Sequence, residues 1–162
     1  MSCRDCLLDE LGKTRSAFIE SVADLSADDF VRIPLDAKMN VAWIVGHIAL
    51  GDDYILKEIQ PEYSRVTSER ETLFSEKASP HEDPSAYPTM PDLLHYFNGC
   101  RQRLIASVEC LSMDPSAEPA PEILDRFLTK ILRHESFHLG QLLLLRRLLE
   151  YPVDYECSEE NK

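Results

Sequence analysis

The sequence has no long apolar run free of charged residues, and no basic N-terminal region followed by an apolar segment. It therefore lacks the patterns of a membrane span and of a secretory signal. It also lacks an excess of positive charge, because 29 acidic residues outnumber 17 lysines and arginines and leave a net charge of −12. The phosphate backbone of a nucleic acid repels such a chain, so we predict no nucleic-acid partner. Because the patterns of a span and of a signal are missing, we also predict no membrane partner and a cytoplasmic location.

The cysteines do not form the pattern of a disulfide framework. An odd number of them, 5 in a chain of 162 residues, is typical of free thiols in a reducing compartment. Cys3 and Cys6 form a C-x-x-C, but no second Cys or His pair lies nearby and no strand precedes it. We interpret this pair as two thiols near the fraying start of a helix, and the sequence assigns them no role.

Apolar residues recur at helical spacing in four segments, and no segment alternates as strands do. The four predicted helices span roughly 3–25, 41–60, 90–111 and 122–150. Asn40 is the predicted cap of the second helix. The spacing therefore predicts an all-α four-helix bundle.

The remaining segments complete the predicted domain organisation. Residues 61–88 hold four prolines without clear periodicity, which predicts a long loop folded over the surface. A chain of this size buries one core, so we predict a single helical-bundle domain over residues 1–152. Residues 153–162 are predicted to be a polar C-terminal tail.

The pentad His134-Glu135-Ser136-Phe137-His138 carries the strongest chemical signal. Two imidazoles four residues apart point the same way from a helix and can share one metal ion. A helical period places His138 on the apolar stripe of the last helix and His134 on the margin of that stripe. The other members of the stripe are Leu124, Leu128, Ile131, Leu142, Leu145 and Leu149.

A third ligand would let such a pair hold zinc or nickel with one position open for a substrate. His47 is the best candidate, because it lies at the border of the apolar face of the second helix, beside Trp43 and Tyr54. His81, in the predicted loop, and His95, early in the third helix, are alternatives that an ordinary surface role would explain.

The pentad also matches H-E-x-x-H, the zincin protease motif, in which Glu135 would be the general base. That motif needs a further ligand downstream, and the 24 residues after His138 contain no histidine. We therefore place Glu135 on the flank of the helix, where it could orient a ligand or contact solvent or a neighbouring helix. Gln141 could hydrogen-bond a ligand or be a satisfied core amide, and Gly140 is interpreted as a packing glycine that lets a neighbouring helix approach.

Two segments resemble those of the DinB/YfiT-like metal-binding four-helix bundles. Residues 40–48, NVAWIVGHI, are similar to the second-helix segment of that family, which has an aromatic residue four positions before a ligand histidine. Residues 134–141, HESFHLGQ, are similar to its C-terminal H-x-x-x-H-x-G-Q signature. The resemblance implies that His47, His134 and His138 form a facial triad for a divalent ion, typically zinc or nickel.

The resemblance leaves the activity open. Similar bundles include thiol transferases that use bacillithiol, mycothiol or glutathione, and many members without known activity. The first hypothesis is a thiol S-transferase with a low-molecular-weight thiol as cosubstrate and a small electrophile held near Trp43 or Tyr54. Alternatives are a metal-dependent hydrolase of a small amide or ester, and a non-catalytic bundle that binds metal or a protein partner. A homodimer is a further hypothesis.

Substitution of the histidines tests the ligand assignment. We expect His47→Ala, His134→Ala and His138→Ala each to lower the metal content strongly while the helical content stays intact. Elemental mass spectrometry of dialysed protein measures metal per chain, and His95→Ala is the control. A metal-free His95→Ala beside a metal-bound His47→Ala would contradict the assignment.

Overall fold

The computed structural model describes residues 3–35, 37–112 and 121–153. Within these ranges the chain forms helices and no strand. The α-helices are α1 Cys3–Val22, α2 Ala27–Val31, α3 Val41–Ile59, α4 Ser68–Phe74, α5 Met90–Ser112 and α6 Pro121–Leu148. The prediction of an all-α bundle is confirmed, and its four long helices are α1, α3, α5 and α6. No helix in the described part of the chain has the length and apolar character needed to cross a membrane.

The predicted helix boundaries hold to within a few residues. The Asn40 side chain caps α3 as predicted, accepting a hydrogen bond from the backbone N–H of Trp43 at 2.9 Å. The first helix ends at Val22, before the predicted residue 25, because Ser26 starts a new helix there. Its hydroxyl accepts from the backbone N–H of Asp29 at 3.1 Å and so caps α2.

Residues 61–88, which we call the strap, contain more regular structure than the predicted loop. They include α4 and two short 3-10 turns, Pro61–Tyr63 and Pro84–Ala86. Thr67 starts α4 by accepting a hydrogen bond from the backbone N–H of Arg70 at 3.2 Å. The loop prediction is wrong over α4, because a helix of two turns is too short for apolar periodicity to reveal.

The strap is fastened to the bundle at both ends. Near its start, the buried carboxylate of Asp53 accepts from the backbone N–H of Arg65 at 3.2 Å and from the Tyr96 hydroxyl at 2.8 Å. Near its other end, the Asn40 amide donates to the His81 carbonyl at 2.7 Å. The strap is therefore held against α3 and α5 as part of the fold.

Helix α3 is the central element of the packing, because it contacts α4, α5 and α6. Helix α6 also packs along α1, and its apolar stripe faces the core as predicted. All seven predicted members of that stripe are buried: Leu124, Leu128, Ile131, His138, Leu142, Leu145 and Leu149. This packing brings the middle of α3 alongside the histidine pair of α6.

Four buried charged residues meet at the centre of the bundle, one from each long helix. Arg15, Asp52, Arg101 and Glu135 form this ionic cluster, and none of them is more than 6% exposed. Asp52 accepts from Arg15 and Arg101 at 3.0 Å each. Glu135 pairs with Arg15 at 2.6 Å and with Arg101 at 2.7 Å. The two positive and two negative charges balance, as buried charges require.

Glu135→Gln tests how strongly the bundle depends on the ionic cluster. The amide leaves two buried arginines facing a single carboxylate, so we expect the free energy of unfolding to fall by about 3–5 kcal/mol. Urea denaturation followed by circular dichroism measures this change. Glu58→Gln, at an exposed position of α3, is the control and should stay within about 0.5 kcal/mol of wild type. Equal stabilities of the two variants would contradict the assigned role.

Candidate metal centre

The structure brings His47, His134 and His138 together where α3 and α6 pack. The Nε2 atom of His134 lies 3.1 Å from the Nε2 atoms of both His47 and His138. One ligand atom from each residue lies within 4.8 Å of the others, and no further His, Cys, Asp or Glu of the described chain joins this group. His138 is buried, and His47 and His134 are half-buried.

Two hydrogen bonds to Nδ1 atoms orient two of the three imidazoles. The Nδ1 atom of His47 lies 2.8 Å from the carbonyl oxygen of Phe74, and the Nδ1 atom of His138 lies 2.6 Å from the Oε1 atom of Gln141. Since both oxygens only accept, each Nδ1 carries the ring proton and donates. The Nε2 atoms of His47 and His138 therefore present lone pairs to the centre of the cluster, as metal ligation requires.

Two of the nitrogen–nitrogen separations in the cluster fit a divalent ion. Zinc–nitrogen bonds are about 2.0–2.1 Å long. Two nitrogens bound at that length, at angles between octahedral and tetrahedral, lie roughly 2.8–3.4 Å apart. The separations of 3.1 Å between His134 and each of the other two histidines fall within this range. Each of these two pairs is therefore spaced as two ligands of one metal ion would be.

The surroundings of the cluster favour neutral imidazoles. Burial, and then the neighbouring His134 and His47, lower the pKa of His138 to about 4. Burial and His47 also lower the pKa of His134. At neutral pH these two rings are therefore uncharged, which is the form that binds metals.

Trp43 contacts two of the three histidines. Its ring is stacked on His47, with centroids 4.6 Å apart and an interplanar angle of 11°, and it lies edge-on to His138 at 6.2 Å. The indole therefore restricts the His47 ring on one face. Trp43 is also the single tryptophan of the sequence, so its fluorescence reports on this site alone.

A cleft of about 650 Å³ opens beside His47 and His134, between α3, the end of α4 and α6. We call it the site cleft. Tyr54 is part of its wall, as the sequence suggested, and the Tyr54 hydroxyl donates to Glu71 at 2.8 Å. The lining consists of His47, Leu50, Gly51, Asp52, Tyr54, Ile55, Ser75, Glu76, Lys130, Ile131, Arg133, His134 and Phe137. A small molecule in this cleft would touch two of the three candidate ligands.

Glu135 is 0% exposed, so it does not lie on a solvent-facing flank of α6. It contacts the neighbouring helices α1 and α5, which is one of the alternatives that the sequence left open. The spacing contained the signal, because position 135 fills the interval between Ile131 and His138 in the apolar stripe. Its carboxylate is engaged by two arginines. The zincin role of general base is therefore ruled out for Glu135.

Two glycines of α3, and not Gly140 of α6, lie close to side chains at the metal centre. Gly140 is exposed and a Cβ there would meet nothing within 4 Å, so the predicted close helix approach at Gly140 is wrong. At Gly46, a Cβ would lie 2.2 Å from the ring of Phe74, and at Gly51 it would lie 3.4 Å from the ring of His134. The missing side chain at Gly46 admits Phe74, whose carbonyl orients His47.

The other sequence candidates lie outside the cluster. His81 and His95 are exposed, and neither belongs to the group of three histidines. Cys6 is an exposed free thiol, and the side chain of Cys3 lies outside the described part of the chain. The sequence analysis missed the Phe74 carbonyl, because a backbone acceptor leaves no residue-type signal.

The fold and the cluster together define a class of protein, an all-α bundle in which histidines of two neighbouring helices could hold one metal ion. The sequence profile of the DinB superfamily matches residues 10–142, which is most of the chain. The chain belongs to the DinB superfamily. No curated protein sequence gives a significant match.

Gly46→Ala tests whether the Phe74 contact orients His47. The new Cβ would displace the Phe74 ring and the carbonyl that accepts from His47, so we expect metal affinity to fall by about 10–100-fold. Titration with Ni²⁺, followed by quenching of Trp43 fluorescence, measures this affinity.

Gly140→Ala is the matched control, because it adds the same methyl group into open space at an exposed position of α6. We expect it to keep the wild-type Ni²⁺ affinity and to stabilise α6 by up to about 1 kcal/mol. Circular dichroism checks that Gly46→Ala remains helical. A folded Gly46→Ala protein with unchanged affinity would show that Phe74 does not orient the ligand.

Proposed function

We propose that His47, His134 and His138 hold a divalent zinc or nickel ion and that the protein is a metal-dependent small-molecule enzyme, best described as a thiol S-transferase. The observation that carries this proposal is the convergence of three Nε2 atoms beside the site cleft. Structural zinc sites are closed by four protein ligands, whereas catalytic sites use three and keep one position open. Within the described chain, three candidate ligands lie together.

A divalent ion at this place would lower the pKa of a thiol or a water that reaches it, so that either would ionise near neutral pH. The chain's own part is to orient the imidazoles. Phe74 and Gln141 accept the Nδ1 protons of His47 and His138, and Trp43 covers one face of His47. Imidazole ligands suit both zinc and nickel, which is why the metal is left as these two.

In the proposed transfer, the thiol sulfur forms a bond to an electrophilic carbon of the second substrate. The carbon–halogen bond of a chlorinated substrate breaks, the halide leaves with the electron pair, and the thiol proton passes to solvent. With an epoxide, a ring carbon–oxygen bond breaks and the oxygen takes up a proton. The apolar side chains of Leu50, Ile55 and Ile131 would hold the body of the electrophile and exclude water from it.

Hydrolysis of a small amide or ester is the second candidate, and one residue favours it. A hydrolase needs a base for the attacking water. Asp52 and Glu135 are each engaged by two arginines, but Glu76 is an exposed carboxylate of the cleft lining. A hydrolytic mechanism would depend on Glu76, whereas the thiol transfer would not.

The decisive experiment compares both reactions on the zinc-loaded and nickel-loaded protein. We expect transfer of a low-molecular-weight thiol to 1-chloro-2,4-dinitrobenzene or to an epoxide, faster than the uncatalysed rate and followed chromatographically. His138→Ala should fall to the uncatalysed rate, and His95→Ala and Glu76→Gln should keep wild-type turnover.

Other outcomes decide between the alternatives. Ester hydrolysis that is lost in Glu76→Gln, without thiol transfer, would replace the transferase with the hydrolase. Bound metal without turnover in either assay would favour a non-catalytic metal-binding bundle. Homodimerisation stays a prediction, to be measured by light scattering.

A further inference from the structure

We infer that the site cleft binds an anionic small molecule and that Lys130 and Arg133 recognise its charged group. This inference extends the proposed function by naming the class of substrate that the cleft would accept. The expected ligand has an apolar body of a few carbon atoms and carries one carboxylate or similar anion at the end away from the histidines.

Lys130 and Arg133 are basic residues of the site cleft in a chain of net charge −12. They lie three residues apart on α6, so their side chains project from neighbouring positions of one helix face, and both line the site cleft. Neither makes an ion pair or a hydrogen bond to any described residue. In contrast, Arg4, Arg101 and Arg103 all bind carboxylates.

The acidic residues of the cleft do not cancel this positive charge. Asp52 is neutralised within the ionic cluster, where Arg15 and Arg101 both bind it. Glu76 is the remaining carboxylate of the lining. Two cations therefore face one anion even before a divalent ion is added. A cleft with apolar walls concentrates such a field, and anions would be drawn into it.

The position of Lys130 sets the length of the ligand, because Arg133 directly precedes His134. Lys130 precedes His134 by one helical turn, which corresponds to about 6 Å along α6. Ile131 and Ile55 line the cleft and would meet an apolar body. A molecule whose reactive group approaches the histidines while its carboxylate lies about one turn away would make both contacts. A neutral molecule of the same shape would leave the two cations without partners.

The test uses two pairs of matched ligands and the zinc-loaded protein. One pair, 3-ethylbenzoate and 3-ethylbenzamide, has no sulfur and differs only in charge. The other, 3-(mercaptomethyl)benzoate and its amide, adds a thiol for the transfer assay. Ligand-detected NMR gives the affinities, and we expect the wild type to prefer the benzoate over the benzamide by about tenfold, the scale of a charge-assisted contact.

The variant Lys130→Gln/Arg133→Gln should lose this preference while its affinity for the benzamide and its zinc content stay unchanged. Lys57→Gln/Arg147→Gln is the matched control, because it removes the same charge at exposed positions outside the cleft lining. The control should keep the wild-type preference. High salt should weaken the preference in the wild type.

Equal affinities for benzoate and benzamide in the wild type would overturn the inference. So would a preference that survives in Lys130→Gln/Arg133→Gln, because the carboxylate would then be bound elsewhere, for instance by the zinc ion. The protein could also prefer the benzoate tenfold through Lys130 and Arg133 and yet transfer neither mercaptomethyl compound. That result would overturn the proposed function and leave the anion site standing. The two proposals can therefore fail separately.

Discussion

The ionic cluster is the interaction on which the rest of the structure depends. A charge in the core is tolerated when its partners are in place, and here each partner comes from a different long helix. Asp52 follows Gly51, where a Cβ would lie 3.4 Å from the ring of His134, and Glu135 lies between the two histidines of α6. The charged contacts that tie α6 to α1 and α5 are therefore made by a residue adjacent in sequence to the candidate ligand His134.

The apolar periodicity of α6 allowed seven of its buried residues to be predicted, because 3.6 residues per turn is a local property. Glu135, Leu139 and Arg146 are buried as well. The cap at Asn40 could also be predicted, because its hydrogen bond joins residues only three positions apart. The same rule put His138 in the core, His134 at its margin and His47 at the border of the apolar face of the second helix, and the resemblance to the DinB/YfiT-like bundles implies the same three residues. Three of the chain's five histidines were thereby chosen, and these three lie together in the structure.

What the sequence did not reveal depends on contacts between distant residues. The spacing contained a signal for the burial of Glu135, but its partners Arg15 and Arg101 come from other helices, and no periodicity identifies them. Gly46 and Gly140 look alike in sequence, each inside an amphipathic helix and near a histidine. Phe74 approaches one of them and nothing approaches the other. The role of a glycine was therefore set by the strap, whose path the local pattern leaves open.

The two sides of α6 have different freedom to change in evolution. Ile131, Glu135 and His138 are in the core, where a substitution disturbs packing or unbalances buried charge. Lys130, Arg133 and Phe137 are exposed and line the cleft, so they can be replaced at little cost in stability. One helix thus carries an inner side under strong constraint and an outer side on which new ligand preferences can arise. Divergence within such a bundle could change what it binds while its histidines and its fold stay the same.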